Sequence, residues 1–141
     1  MVEVHGLKKF FAVGRKGLFR KPGTVRAVDD VSFSIIEGRC LGLVGESGSG
    51  KTTVARSILR LIEPDSGRIS IAGTCVSDLG REELRRFRGT MQIVFQDPFG
   101  SLNPRMTIGK ILGEPLKIHT QLSKKEVRDR ITELLDLVGL S

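Results

Sequence analysis

The sequence predicts an α/β fold built around a phosphate-binding loop, and three observations carry that prediction. Cys40-Leu-Gly-Leu-Val44 is an apolar run with no polar face, as in a strand buried on both sides. Directly after it, Gly45-Glu-Ser-Gly-Ser-Gly-Lys-Thr52 fits the pattern G-x-x-x-x-G-K-S/T. From Gly50 to Leu61 the apolar residues Val54, Ile58 and Leu61 then recur with helical spacing. Strand, glycine loop and helix in that order place the loop at a helix N-terminus, where free N–H groups converge.

The remaining elements are read in chain order. Val2 and Val4 alternate with polar residues, as in a half-buried first strand. Residues 14–23 are rich in Gly, Pro and basic side chains and predict an exposed loop. Between Val25 and Ile36, Val31, Phe33 and Ile35 keep a period of two, which predicts one or two strands ending at Glu37-Gly38. Pro64-Asp-Ser-Gly67 closes the loop helix and leads into a strand at Arg68–Ala72. Glu82–Arg88 is a short polar helix, and Gln92–Gln96 reads as a strand cut off by Asp97-Pro98. The final helix opens on a capping box, Ser123 with Glu126, each side chain satisfying a free N–H of the other's backbone. Val127, Ile131, Leu134, Leu135 and Val138 line one face of it, and Gly139 supplies the stop.

Composition bounds the function classes. The chain has 141 residues, the length of one ordinary domain, and lacks Trp and Tyr, so its core is aliphatic with a few Phe. No run approaches about 18 apolar residues, so no segment reads as a membrane-spanning helix. The N-terminus shows no basic region followed by an apolar one, and so no secretion signal. Cys40 and Cys75 match no metal spacing and read as ordinary small apolar residues, fitting a reducing cytoplasm. His5 and His119 fall in no catalytic pattern and read as surface residues. The net charge is +7, concentrated in a front group from Lys8 to Arg26 and a second group at Arg81, Arg85, Arg86 and Arg88. Neither is interleaved with aromatics as a base-stacking surface requires. A solvated loop and a solvated helix face are the favoured reading, so nucleic acid is not an expected partner.

The loop carries the chemistry. Its glycines let the backbone wrap so that N–H groups of Gly45, Glu46, Ser47, Gly48, Ser49 and Gly50 point inward at phosphate oxygens. Lys51 reaches the β- and γ-phosphates, the Thr52 hydroxyl can ligate Mg²⁺, and Thr53 is placed for the α-phosphate. Two fixed glycines, a Lys and a Ser/Thr at this spacing occur by chance in under roughly 1% of chains this size. Gln96, a polar residue ending an apolar run, could reach a metal or an attacking water, although a Gln there is more often a turn residue.

The loop with its strand, taken together with Val-Phe-Gln-Asp-Pro98, resembles the nucleotide-binding subunits of ABC transporters. Within that family, Gln96-Asp-Pro-Phe-Gly-Ser-Leu-Asn-Pro-Arg-Met-Thr-Ile-Gly109 resembles the dipeptide and oligopeptide importers, as do Ala27–Phe33 and Ser66–Ile69. The basic insertion at 14–23 resembles the second of their two ATPase subunits. The resemblance implies a P-loop NTPase core of ABC type, with an antiparallel β subdomain from residues before Gly38 plus the strand near Arg68. A helical subdomain would begin near Thr107. It also implies ATP and Mg²⁺ as ligands, Phe11 as the ring that stacks on adenine, and Gln96 as the residue touching Mg²⁺ and the attacking water. Phe10 is the alternative platform, and Val28 is placed to pack beside the ring. Implied partners are a second ATPase subunit, in a homo- or heterodimer, and a membrane permease met through Phe99–Arg105. An extracytoplasmic binding protein takes part indirectly. The implied location is cytoplasmic, peripheral on the inner face of the membrane.

The chain departs from the family at its end, Leu137-Val-Gly-Leu-Ser141. A Leu-Ser-Gly-Gly-Gln-type signature, an apolar strand ending in Asp-Glu and a switch His are not found. The expectation is therefore the front portion of a protein about twice as long, binding ATP but hydrolysing it poorly, since groups that position the nucleophile are lacking. The Cys40–Val44 strand should then show an exposed apolar edge and face. Within the importer reading, nickel or glutathione importers of the same subgroup stay open beside peptide importers. Two other readings stay open: a non-transport ABC ATPase acting on nucleic acid, and a nucleotide-binding remnant without turnover.

Overall fold

A computed structural model describes residues 1–13, 23–97 and 100–140. The basic insertion, apart from Gly23, and Phe99 of the expected permease contact lie outside the described residues. The chain divides into two compact units, Met1–Arg85 and Arg86–Ser141.

The first unit holds an antiparallel sheet of order β2-β1-β3-β4, made of β1 (Val2–Val13), β2 (Gly23–Ile35), β3 (Ser66–Ile71) and β4 (Thr74–Cys75). The alternation read at Val2 and Val4 holds only at the start of β1, because its pairing with β2 slips after Val4, after Leu7 and after Lys9. The first slip inserts a residue in β1, so Val4 and Leu7, three apart, are both fully buried. The third inserts Ala27 into β2, between Arg26 opposite Phe10 and Val28 opposite Lys9. β2 is therefore one long, bulged strand.

On its other edge β1 meets β3 at very short range. A Cβ on Gly67, whose φ is +110°, would lie 2.6 Å from the Leu7 Cα and 2.8 Å from the Gly6 carbonyl oxygen, so only glycine fits. Asp65 fastens the same junction. Its N–H donates to the Lys8 carbonyl at 2.9 Å, and its carboxylate accepts from the Phe10 N–H at 2.6 Å and from Lys9 Nζ at 3.2 Å. The Phe10 N–H, and after it Lys9, hold the Asp65 carboxyl below its ordinary pKa.

Helix α1 (Lys51–Ile58) packs on β1 and β2 and buries Val54 and Ser57. With Val4, Leu7, Val28, Ile69, Val76 and Leu84 these form the buried core of the unit. The helix stops three residues short of the expected Leu61. Arg60 takes a left-handed conformation (φ 48°), and the N–H groups of Arg60 and Leu61 turn back to the carbonyls of Ser57 and Arg56. Glycine usually holds that position. Here the Arg60 guanidinium donates to the carbonyls of Val76 (2.9 Å) and Leu79 (2.8 Å), tying the helix end to a 3₁₀ turn at Val76–Asp78.

Two predicted strands form no ladder. Leu41 and Leu43 are half-exposed and Val44 is 97% exposed, while Val94 is 84% exposed. A strand buried on both sides needs a partner along each edge. No described strand lies beside Cys40–Val44 or Gln92–Gln96. The apolar residues of Cys40–Val44 are exposed as expected, but in a segment without a ladder rather than along the edge of a strand.

Helix α2 (Arg81–Phe87) spans the division between the units, with Leu84 buried. The second unit pairs α3 (Ile108–His119) with α4 (Lys124–Leu137). Thr107 caps α3, its hydroxyl accepting from the Lys110 N–H at 3.4 Å, and Pro115 stands inside the helix. Gly113 is the contact point: a Cβ there would come within 3.2 Å of Ile131 Cδ1 and 3.8 Å of Val127 Cγ1. The capping box of α4 is present, with Ser123 N–H to Glu126 at 2.7 Å and Glu126 N–H to Ser123 Oγ at 3.3 Å. Val127 is buried and Ile131, Leu134 and Leu135 are partly so, while Val138 at the helix cap is exposed.

Candidate phosphate-binding site

Between β2 and α1 the chain runs without regular structure through Ser49, and Gly48 (φ 81°) and Gly50 (φ 93°) supply left-handed turns. The Ser49 N–H closes a tight turn onto the Glu46 carbonyl at 3.2 Å. Lys51 fills the turn: its ammonium donates to the carbonyls of Gly45 (2.7 Å) and Glu46 (2.6 Å) and to Ser49 Oγ (3.3 Å). An ammonium has three N–H bonds, and all three are used in holding the loop closed.

The first bond of the α1 ladder runs from the Val54 N–H to the Gly50 carbonyl at 2.9 Å. The N–H groups of Lys51, Thr52 and Thr53 therefore precede the ladder and carry the positive end of the helix dipole. No acidic side chain stands in that first turn to offset it. In front lies an open cavity of about 200 Å³ lined by Val25, Arg26, Ala27 and residues 48–53. Among these lining residues are two cations, Arg26 and Lys51, and no carboxylate. Such a site favours an anion, and its volume suits a chain of phosphates rather than a whole nucleotide.

The predicted residues are thus partly assembled. Gly48, Ser49, Gly50, Lys51, Thr52 and Thr53 surround one cavity, while Gly45, Glu46 and Ser47 form the arm that Lys51 holds. Phe11, 37% exposed, lies one strand away, paired with Val25 of the cavity wall. The Lys9 ammonium sits 5.5 Å over its ring, and the Arg26 guanidinium sits 5.7 Å over that of Phe10. Val28 is 2% exposed in the core, while Val25 and Arg26 form the cavity wall. The bulge at Ala27 is the reason, since it shifts β2 by one residue against β1 just where β2 passes the loop. Arg26 read in sequence only as one of several basic residues, and no local pattern marked Ala27.

Gln96 belongs to the second unit, exposed at a bend. Asp97 accepts from the Gly100 N–H (2.9 Å) and the Ser101 hydroxyl (2.6 Å), and Asn103 from the Arg105 N–H (3.0 Å). Among the described residues no group of three or more His, Cys, Asp or Glu could hold a metal ion by itself. A divalent ion in the cavity would be held chiefly by phosphate oxygens and the Thr52 hydroxyl. That donor set suits Mg²⁺, which keeps several waters and takes few protein ligands.

Comparison with known proteins bears on the same residues. A protein-family model described as ABC transporter matches residues 28–141. The oligopeptide transport ATP-binding protein AppF of Bacillus subtilis is 47% identical over 142 residues, covering 99% of this chain and 43% of that protein. The oligopeptide transport ATP-binding protein OppF of Salmonella typhimurium is 42% identical over 143 residues, with 99% and 43% covered. The chain thus spans less than half the length of these curated relatives. Among solved structures, a dimeric ATP-binding cassette in a post-hydrolysis state bound to ADP and Pi superimposes with a TM-score of 0.78. It is 29% identical and matches all of this chain and 58% of that one.

Proposed function

This chain belongs to the ABC transporter family, and from that premise we propose that it binds ATP and serves as part of the energy-coupling subunit of a peptide importer. The carrying observation is the loop closed around Lys51 in front of three unladdered N–H groups, beside a cavity whose lining residues include no carboxylate. ATP would draw Lys51 from the Gly45 and Glu46 carbonyls onto the β- and γ-phosphates, exchanging neutral acceptors for charged ones. The N–H groups of Lys51, Thr52 and Thr53 would hold the remaining phosphate oxygens. The base would leave the cavity past Val25 toward Phe11. Mg²⁺, held by Thr52, would offset charge on the phosphates.

The names of the relatives support the substrate class, and the match to a dimeric cassette supports a second ATPase subunit facing the nucleotide. Residues 1–141 are then the front portion of one ABC ATP-binding domain, with a helical subdomain from about residue 107. Phe99–Arg105 is the segment proposed to meet the permease on the inner face of the membrane. The 141 residues alone would bind ATP with little turnover.

Two measurements test the reading. Calorimetric titration of the chain with ATP should show binding that Lys51→Ala reduces at least about tenfold, the loss of a charge-assisted contact. Peptide uptake by source cells should fall when the same substitution is made in the gene. ATP binding that is indifferent to Lys51 would remove the basis of the proposal.

A further inference from the structure

The cavity wall holds a cation that the phosphate-loop pattern does not include. Arg26 lines the same cavity as Gly48–Thr53, and its neighbour Ala27 is packed against Gly50. Its side chain is 72% exposed and lightly held. One N–H donates to Asp29 at 3.2 Å, and the guanidinium lies 5.7 Å from the centre of the Phe10 ring. A surface ion pair of this kind contributes little and is readily exchanged for a better acceptor. A guanidinium presents a planar fork of donors that fits phosphate oxygens two at a time.

The charges make the exchange favourable. Lys51 is engaged by the carbonyls of its own loop, so Arg26 is the lining cation whose partner is a solvent-exposed carboxylate. A triphosphate entering there brings several negative charges within reach of that side chain. Resting on the nucleotide reading above, we infer that Arg26 is a second phosphate-binding cation of this site, supplied by β2 from the wall opposite the phosphate loop. A merely structural role, bracing Phe10 as the alternative platform for the base, would instead act on the nucleoside end of the ligand.

The two roles separate by ligand. ATP and inorganic tripolyphosphate would be titrated calorimetrically, and adenosine by ligand-observed NMR, into the unaltered chain, Arg26→Gln, Arg26→Lys and Lys51→Ala. In Arg26→Gln the affinities for ATP and tripolyphosphate should fall together by about tenfold, the scale of a charge-assisted contact. Adenosine should bind as before, Arg26→Lys should recover part of the loss, and thermal unfolding should be unchanged. Unaltered ATP affinity in Arg26→Gln overturns the inference. So does an equal loss for adenosine and ATP, which assigns Arg26 to bracing Phe10. If the unaltered chain binds neither ATP nor tripolyphosphate, or Lys51→Ala binds them equally well, the underlying cavity reading falls and this inference with it.

Discussion

The carbonyl oxygen of Ala27 occupies the space that a Cβ on Gly50 would take. Ala27 is the extra residue of a bulge in β2, and Gly50 is the last glycine before the loop lysine. The sheet edge therefore seats the N-terminus of α1 by backbone contact, and the cavity lies where the two meet. Gly50 also has φ 93°, so its environment and its own conformation both exclude a side chain.

Gly50→Ala should accordingly abolish measurable ATP binding and lower thermal stability. A non-glycine residue in the left-handed region costs about 1–2 kcal/mol, and the clash with Ala27 adds to that because a backbone carbonyl cannot swing aside. Circular dichroism melts with ATP titration check both. Wild-type affinity in this variant would mean the loop does not dock on β2 as described.

The phosphate loop was legible in sequence because its chemistry is local. Two glycines, a lysine and a threonine at fixed spacing bring their own backbone donors. The capping box of α4 was legible for the same reason, since Ser123 and Glu126 satisfy one another within one turn. Arg26 and Ala27 were not legible, because their place depends on a register shift between two separate strands, which no local pattern encodes. The strands read at Cys40–Val44 and Gln92–Gln96 show the opposite limit. Their apolar runs state what each segment needs to bury, but a strand exists only where a neighbour supplies the ladder.

The α4 cap gives a prediction confined to the second unit. Ser123→Ala removes the acceptor for the Glu126 N–H and should cost about 1 kcal/mol of helix stability. The Ser123 side-chain and backbone donors hold the Glu126 carboxyl below its ordinary pKa. Its stabilising contribution is therefore present above the unfolded-state pKa and is lost as pH falls through the lower folded value. Hydrogen exchange at the first turn of α4 should rise in Ser123→Ala at neutral pH, while amides of β1 stay as they were.

Asp65 behaves alike in the first unit. Its carboxylate is the acceptor for the Phe10 N–H and for Lys9, and its pKa is lowered from 3.8 by those donors, Phe10 first. Stability from this group is fully present above the unfolded pKa and disappears as pH drops through the folded one. Asp65→Asn should destabilise the chain at pH 7, and the gap to the unaltered chain should narrow once pH falls below about 4. A gap of constant size across that range, measured by urea unfolding at each pH, would show that the carboxylate charge is not what fastens β1 to the turn before β3.

Gln96 separates binding from turnover. It sits exposed in the second unit, outside the residues that line the phosphate cavity. ATP affinity of the chain should therefore be nearly unchanged by Gln96→Ala. If Gln96 orients the attacking water in the full-length subunit, the same substitution should lower ATP hydrolysis by about 10²-fold, the scale of a misplaced nucleophile. Isothermal titration on the chain and phosphate release from the full-length subunit read the two effects independently. A large loss of ATP affinity would place Gln96 among the binding groups, and undiminished hydrolysis would remove it from the reaction altogether.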